Sequence, residues 1–141
     1  MYQLNEGTID LPDSWKDQTV NVITSSSAAI PGLSVTITRD DMPWGMAFPE
    51  YVQDQLGQAG KALKDFQVEA RRDLTVADNP AVEVECRWVA TQGPIHQIIT
   101  TVQDGSRVLV LTASIGGRMS ENQMAEMRRI VGTLRLNRRH G

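Results

Sequence analysis

The feature that most restricts this chain is a series of four extended stretches, residues 66–74, 81–90, 95–103 and 107–115, separated by gaps of turn length. Parallel neighbours need a crossover of a dozen or more residues, so these stretches pair antiparallel. Asn79-Pro80 opens the second, and residues 91–94 turn the chain into the third. Asp104-Gly105 between alternating apolar residues predicts a two-residue hairpin loop. Register through that loop sets Ile98 beside Leu111 and Ile99 beside Val110. Through Gln92-Gly93 it sets Cys86 near Ile99 and Arg87 near Ile98. One face then collects Val84, Cys86, Trp88, Ile99, Val108 and Val110. The other collects Ile98, Thr100, Val102, Leu109, Leu111 and Ala113, with Glu83, Glu85 and Arg87 at one side.

The first half of the chain adds strands and a helix. Residues 2–11 alternate loosely and end at Pro12-Asp13, a strand closed by a turn. Residues 18–24 and 33–39 alternate around the small-residue stretch 25–32 and read as a hairpin. From residue 48 to 63 the period becomes helical: Val52, Leu56, Ala59 and Leu63 form one stripe. Pro49 is tolerated in the first turn, whereas Gly57 and Gly60 each weaken the helix by about 1 kcal/mol against Ala. Ser120 and Gln123 predict a capping box for a last helix with the stripe Met124, Met127, Val131 and Leu134. The order is strands, helix, strands, helix, which predicts an α+β fold with a mostly antiparallel sheet and two main helices. The length of 141 residues fits one domain, read as 1–136, with residues 137–141 as a frayed tail.

Composition excludes more than it names. Fourteen basic against 17 acidic residues give a net charge of −3, which argues against a nucleic-acid partner. The longest apolar run is Val108 to Leu111, far short of the ~20 residues of a membrane span, so no direct membrane insertion is expected. Residues 1–10 carry no basic residue and no apolar segment of a secretory signal, and with the single Cys86 this predicts a cytoplasmic protein. One cysteine builds neither an internal disulfide nor a multi-cysteine metal site, and alternation sends it to an apolar face as an inert thiol. His96 and His140 leave no third member for a catalytic triad. Ser25-Ser26-Ser27 and Gly116-Gly117 read as turns, Asp40-Asp41 as turn and cap chemistry, and Glu83/Glu85 as a solvated strand edge. Arg71-Arg72 and Arg128-Arg129 read as solvated pairs. No enzyme activity, cofactor or metal is expected.

The second sheet face, rich in Ile, Leu and Val, is too apolar to stand bare in water. Two readings stay open: a helix of the same chain covers it, or it is a groove for an apolar partner. The segments Tyr2-Gln3-Leu4-Asn5-Glu6-Gly7, Leu11-Pro12-Asp13-Ser14-Trp15-Lys16-Asp17, and Arg39-Asp40 leading into Phe48-Pro49-Glu50-Tyr51-Val52-Gln53-Asp54-Gln55-Leu56 resemble, in their joint order, the Eag family. These are effector-associated chaperones of bacterial type VI secretion. The resemblance covers about residues 1 to 136 and has no counterpart for Arg138-Arg139-His140. It implies a PsbP-like α/β sandwich with a curved sheet, a homodimer, and binding of the N-terminal transmembrane helices of a PAAR-domain effector before loading on the secretion spike. The residues expected to contact that client are Ile23, Thr36, Thr38, Ile98, Thr100, Val102, Leu109, Leu111 and Ala113. The alternative is a small-molecule or lipid binder that uses the same face as a pocket.

Overall fold

The computed structural model describes residues 1–25 and 32–137. The turn expected around Ser26-Ser27 and the tail Arg138-Arg139-His140 fall outside the described residues. Strands β3 (Asn21–Thr24), β4 (Ser34–Asp41), β5 (Gln67–Val76), β6 (Asn79–Ala90), β7 (Gly93–Asp104) and β8 (Arg107–Gly116) form one six-stranded sheet in the order β3-β4-β8-β7-β6-β5. All its pairs are antiparallel. The expected single strand over residues 2–11 is instead a separate small hairpin, β1 (Tyr2–Leu4) and β2 (Gly7–Ile9). Asn5-Glu6, residues of turn rather than strand character, fold the segment back on itself.

Both long hairpins turn one residue away from the expected place, which slips the pairing by two residues. Asp104 itself pairs with Arg107, so the loop is Gly105-Ser106, with Gly105 supplying the positive φ of 63°. Ala90 pairs with Gly93, which makes the other loop Thr91-Gln92. Ile98 therefore faces Ala113 rather than Leu111, Ile99 faces Thr112 rather than Val110, and Cys86 faces Gln97 rather than Ile99. A slip of two leaves every side chain on its expected face, because alternation has period two. The β5–β6 hairpin turns on Ala77 and Asp78, whose φ values of 51° and 63° are those of a tight turn matched to strand twist. Between Val68 and Ala70 the β5 register shifts, a bulge that frees Glu69 from the ladder.

One helix covers each face. Helix α1 (Phe48–Ala62) begins with Pro49 in its first turn and buries Phe48, Tyr51 and Val52 against Val82, Val84, Cys86 and Val108. Helix α2 (Glu121–Gly132) begins at Ser120, whose side chain accepts the Gln123 N–H while the Gln123 side chain takes the Ser120 N–H, the expected capping box. Its underside packs on the second face: Met127 with Met119, Leu33, Ile98 and Ala113, and Val131 with Val76, Ala81, Val102 and Leu111. The fold is α+β, a curved antiparallel sheet between two helices.

Glu83, expected on a solvated edge, and Asp40-Asp41, expected as turn and cap chemistry, instead tie elements together. Strand β6 lies inside the sheet, so Glu83 is buried, and it binds Arg72 of β5 and Arg128 of α2. Asp40 accepts the Tyr51 hydroxyl at 2.8 Å and so ties β4 to α1, while Asp41 pairs with Lys16 and Arg107.

Candidate functional site

A helix about 10 Å across cannot roof six strands spaced about 4.8 Å apart. Helix α1 sits over β6 and Val108, and the rest of its face, on the β4–β8 side, stays half-open. Cross-strand pairing sorts this strip. Val22 faces Thr36, Thr36 faces Thr112, Thr38 faces Val110, Thr112 faces Ile99, and Ser114 faces Gln97. Partners directly opposite share a face, so these residues stand on the side that carries Val84 and Cys86. A cavity of about 200 Å³ runs between the strip and α1, lined by Val52, Gln55, Leu56, Ala59, Val84, Ile99, Thr101, Val110 and Thr112. Leu56 and Ala59, expected as core stripe, are only half-buried because they overhang this gap. At the sheet edge Val22 stands 67% exposed.

The chemistry of the strip is mixed. Val22, Leu56, Ile99 and Val110 offer apolar area. Among the described residues, the hydroxyls of Thr36, Thr38 and Thr112 and the amide of Gln55 form no hydrogen bond, so they remain able to bond a ligand. Gln97 is committed: it donates to Ser114 Oγ at 2.8 Å and accepts from Trp88 Nε1 at 3.0 Å. Cys86 is fully buried, and burial, with the charges of Glu85 and Glu69, pushes its thiol up to about 11, away from nucleophilic chemistry.

The nine residues expected to form one client surface divide between two faces. Ile98, Thr100, Val102, Leu111 and Ala113 are buried, and Leu109 half-buried, on the side that α2 covers. Ile23 lies on that same side at the sheet edge, opposite Val35, and is exposed. Of the two readings left open for this face, cover by the chain's own helix is the one observed; Met119, Met127 and Val131 occupy the place of a partner. Thr36 and Thr38 lie on the other face, in the half-open strip. Gln55, Ile99, Val110 and Thr112, which line the cavity beside the strip, were not among the nine. A signal for them existed in the sequence: Thr36, Thr38, Thr101, Thr112 and Ser114 alternate onto one face, and only Thr100 joins the other among the paired central positions.

A polar group lies under the start of α2. His96 is fully buried; its Nδ1 accepts the Met119 N–H at 2.9 Å and its Nε2 lies 2.9 Å from Glu85 Oε2. Ligand atoms of Glu69, Glu85 and His96 come within 4.8 Å of one another. The set does not suit a cation. A nitrogen that accepts an N–H carries no proton, so the ring proton is on Nε2 and points at Glu85, while Glu69 is engaged by Arg87 and Arg118. No helix among the described residues is long and apolar enough to cross a membrane.

Comparison with known proteins places this architecture. A Pseudomonas aeruginosa protein named Effector EagT6 is 32% identical over 89 residues, which is 62% of this chain and 62% of the length of that relative. The resemblance to the Eag family rests on this likeness. A crystal structure of a P. aeruginosa protein of unknown function superposes with a TM-score of 0.82 at 24% identity over 99% of this chain and 96% of the other. LpqN of Mycobacterium tuberculosis, described as involved in cell envelope biogenesis, gives 0.55 at 17% identity over 88% of this chain and 79% of its own. Cyanobacterial PsbP from Synechocystis gives 0.50 at 7% identity over 81% and 77%, so the fold is PsbP-like. The DcrB family profile matches residues 6–133, and the chain belongs to that family.

Proposed function

We propose that this protein is a type VI secretion chaperone that shields the N-terminal transmembrane helices of a PAAR-domain effector in the cytoplasm, before the effector is loaded on the spike. Residues 1–136 act as the chaperone domain, working as a homodimer, without catalysis, cofactor, nucleic acid or insertion into the membrane. The likeness to Effector EagT6 supports the effector-associated role. The observation that carries the client reading is the half-open strip beside α1, apolar yet furnished with unbonded Thr36, Thr38 and Thr112 hydroxyls. A transmembrane helix is apolar all round, and each ~20-residue span needs cover in water. Valine and isoleucine offer burial at about 25 cal/mol per Å², and threonine hydroxyls suit the small and polar residues at helix contacts. Of the residues expected from the sequence, Thr36 and Thr38 fit this site as they stand. Ile98, Thr100, Val102, Leu109, Leu111 and Ala113 would meet a client only with α2 displaced.

A lipid or small-molecule pocket is the rival. The cavity, about 200 Å³, is smaller than the ~300–1,000 Å³ of ordinary ligand sites, which disfavours this rival. The test is co-purification with full-length effector and with an effector lacking its apolar segments, at low and high salt. Binding to the full-length form only, retained at high salt, is expected. Retained binding to the deleted form would overturn the proposal.

A further inference from the structure

We infer that His96 is a proton-operated catch that holds α2 on the sheet, independent of what the open strip binds. Helix α2 joins the sheet through Gly116-Gly117, where Gly117 has φ of 85°, and no strand follows it among the described residues. Its underside rests on methionine and valine, and Arg128 anchors its middle to Glu83. The Gly117 N–H bonds the Pro94 carbonyl at 2.8 Å and Arg118 pairs with Glu69, and the next hold is buried. The Met119 N–H, one residue before the capping Ser120, donates to His96 Nδ1 at 2.9 Å in a site where His96 is 0% and Met119 4% exposed.

Hydrogen-bond bookkeeping fixes the ring as neutral in this arrangement: Nδ1 accepts and Nε2–H donates to Glu85. A second proton has one place to go, Nδ1, where it would point at the Met119 N–H. Two donors then face each other where water cannot enter, and a buried unpaired donor is costly. Charged groups of both signs surround the ring. Glu85 and Arg87 reach it from β6, Glu69 from the β5 bulge, and Arg118 from the loop before α2. Strand β8 presents uncharged Ile115; on α2, Arg128 binds Glu83, Arg129 binds Glu126, and Glu121 stands exposed in the first turn. Glu85 favours the imidazolium, so relief comes from movement of Met119 away from the ring. Gly116-Gly117 can absorb the change in backbone angle, and the first turn of α2 lifts with Met119.

The experiment is hydrogen exchange of the full chain at pH 7.5 and 5.5, each rate divided by the intrinsic rate at that pH. Opening coupled to uptake of one proton grows about tenfold per pH unit, so protection over residues 119–127 should fall by that factor below the titration while β7 amides keep theirs. His96→Asn places an amide oxygen near the position of Nδ1 without a titrating group, and its α2 protection should not change with pH. Equal wild-type protection at both pH values, or the same loss in His96→Asn, would overturn the proposal. Should that variant fail to fold, nitrogen NMR of the wild-type ring decides. A proton on Nε2 at pH 7.5, with the ring and the Met119 amide titrating together, supports the catch; a proton on Nδ1, or separate midpoints, sinks it.

Discussion

Arg128 of α2 and Glu83 of β6 form an ion pair between helix and sheet, with Arg128 Nε 3.1 Å from Oε1 and 3.2 Å from Oε2 of Glu83. Arg72 of β5 grips the same carboxylate from the other side, at 3.0 and 3.2 Å. The cluster joins the β5–β6 hairpin to a helix whose arginine lies 45 positions beyond Glu83. It also explains how an acid tolerates a place where its residue is 5% exposed.

Removing the charge at position 83 tests that cluster. Glu83→Gln should cost about 1–3 kcal/mol in urea unfolding at pH 7, since both arginines reach solvent when released. Burial pushes the carboxyl upward, but the two guanidinium groups outweigh it and hold it below its ordinary range. A group whose folded pKa is depressed contributes stability above its unfolded pKa and loses it as pH falls through the folded value. Wild type should therefore lose this share of stability below about pH 4.3, the ordinary Glu value, and the Gln variant should show a flatter profile there. Equal slopes would remove the ion pair from the account.

The two faces should respond differently to a new charge. Val110→Asp, in the half-open strip, should leave far-ultraviolet circular dichroism unchanged and cut effector co-purification at least about tenfold, because an unpaired carboxylate would lie against an apolar helix. Ile98→Asp, at a position 2% exposed under α2, should instead destabilise the fold by about 3 kcal/mol or more. A folded Ile98→Asp protein that alone loses its client would move the site to the α2 face.

Cys86 should be inert. With its thiol pushed up to about 11, first by burial, about one molecule in a thousand would be thiolate at pH 8. A thiol reagent should label the native chain at least about a hundredfold more slowly than the chain in guanidinium. Cys86→Ala should cost about 1–2 kcal/mol and leave effector binding within a few-fold of wild type. Fast native labelling would show that the site opens.

The cap of α2 gives a calibrated stability test. Ser120→Ala removes the acceptor for the Gln123 N–H and should lower stability by about 1 kcal/mol. Gln123→Ala, which removes the reciprocal bond to the Ser120 N–H, should cost less, because that amide lies in an exposed turn. Thermal unfolding of the two variants and the double variant measures the coupling; additive losses would argue against a cooperative box.

Local rules carried much of this fold into view from the residues alone. Alternation in residues 66–115 determined the strands and their faces, the 3.6-residue stripe beginning at Val52 gave α1, and Ser120 with Gln123 gave the start of α2. Those features depend on neighbours a few positions apart. The two-residue slips at Gly105-Ser106 and Thr91-Gln92 left the faces intact because side chains return to the same side every second residue. Which face stays open was beyond such rules. Both faces are apolar, and the choice followed from where two helices dock: α1 over β6, and α2 over Ile98, Val102, Leu111 and Ala113. The pairing of Glu83 with Arg128, 45 positions apart, likewise came only with that docking. Periodicity says that a side chain needs cover; only the packing of distant elements, each weighing apolar area against ion pairs and buried hydrogen bonds, decides what supplies it.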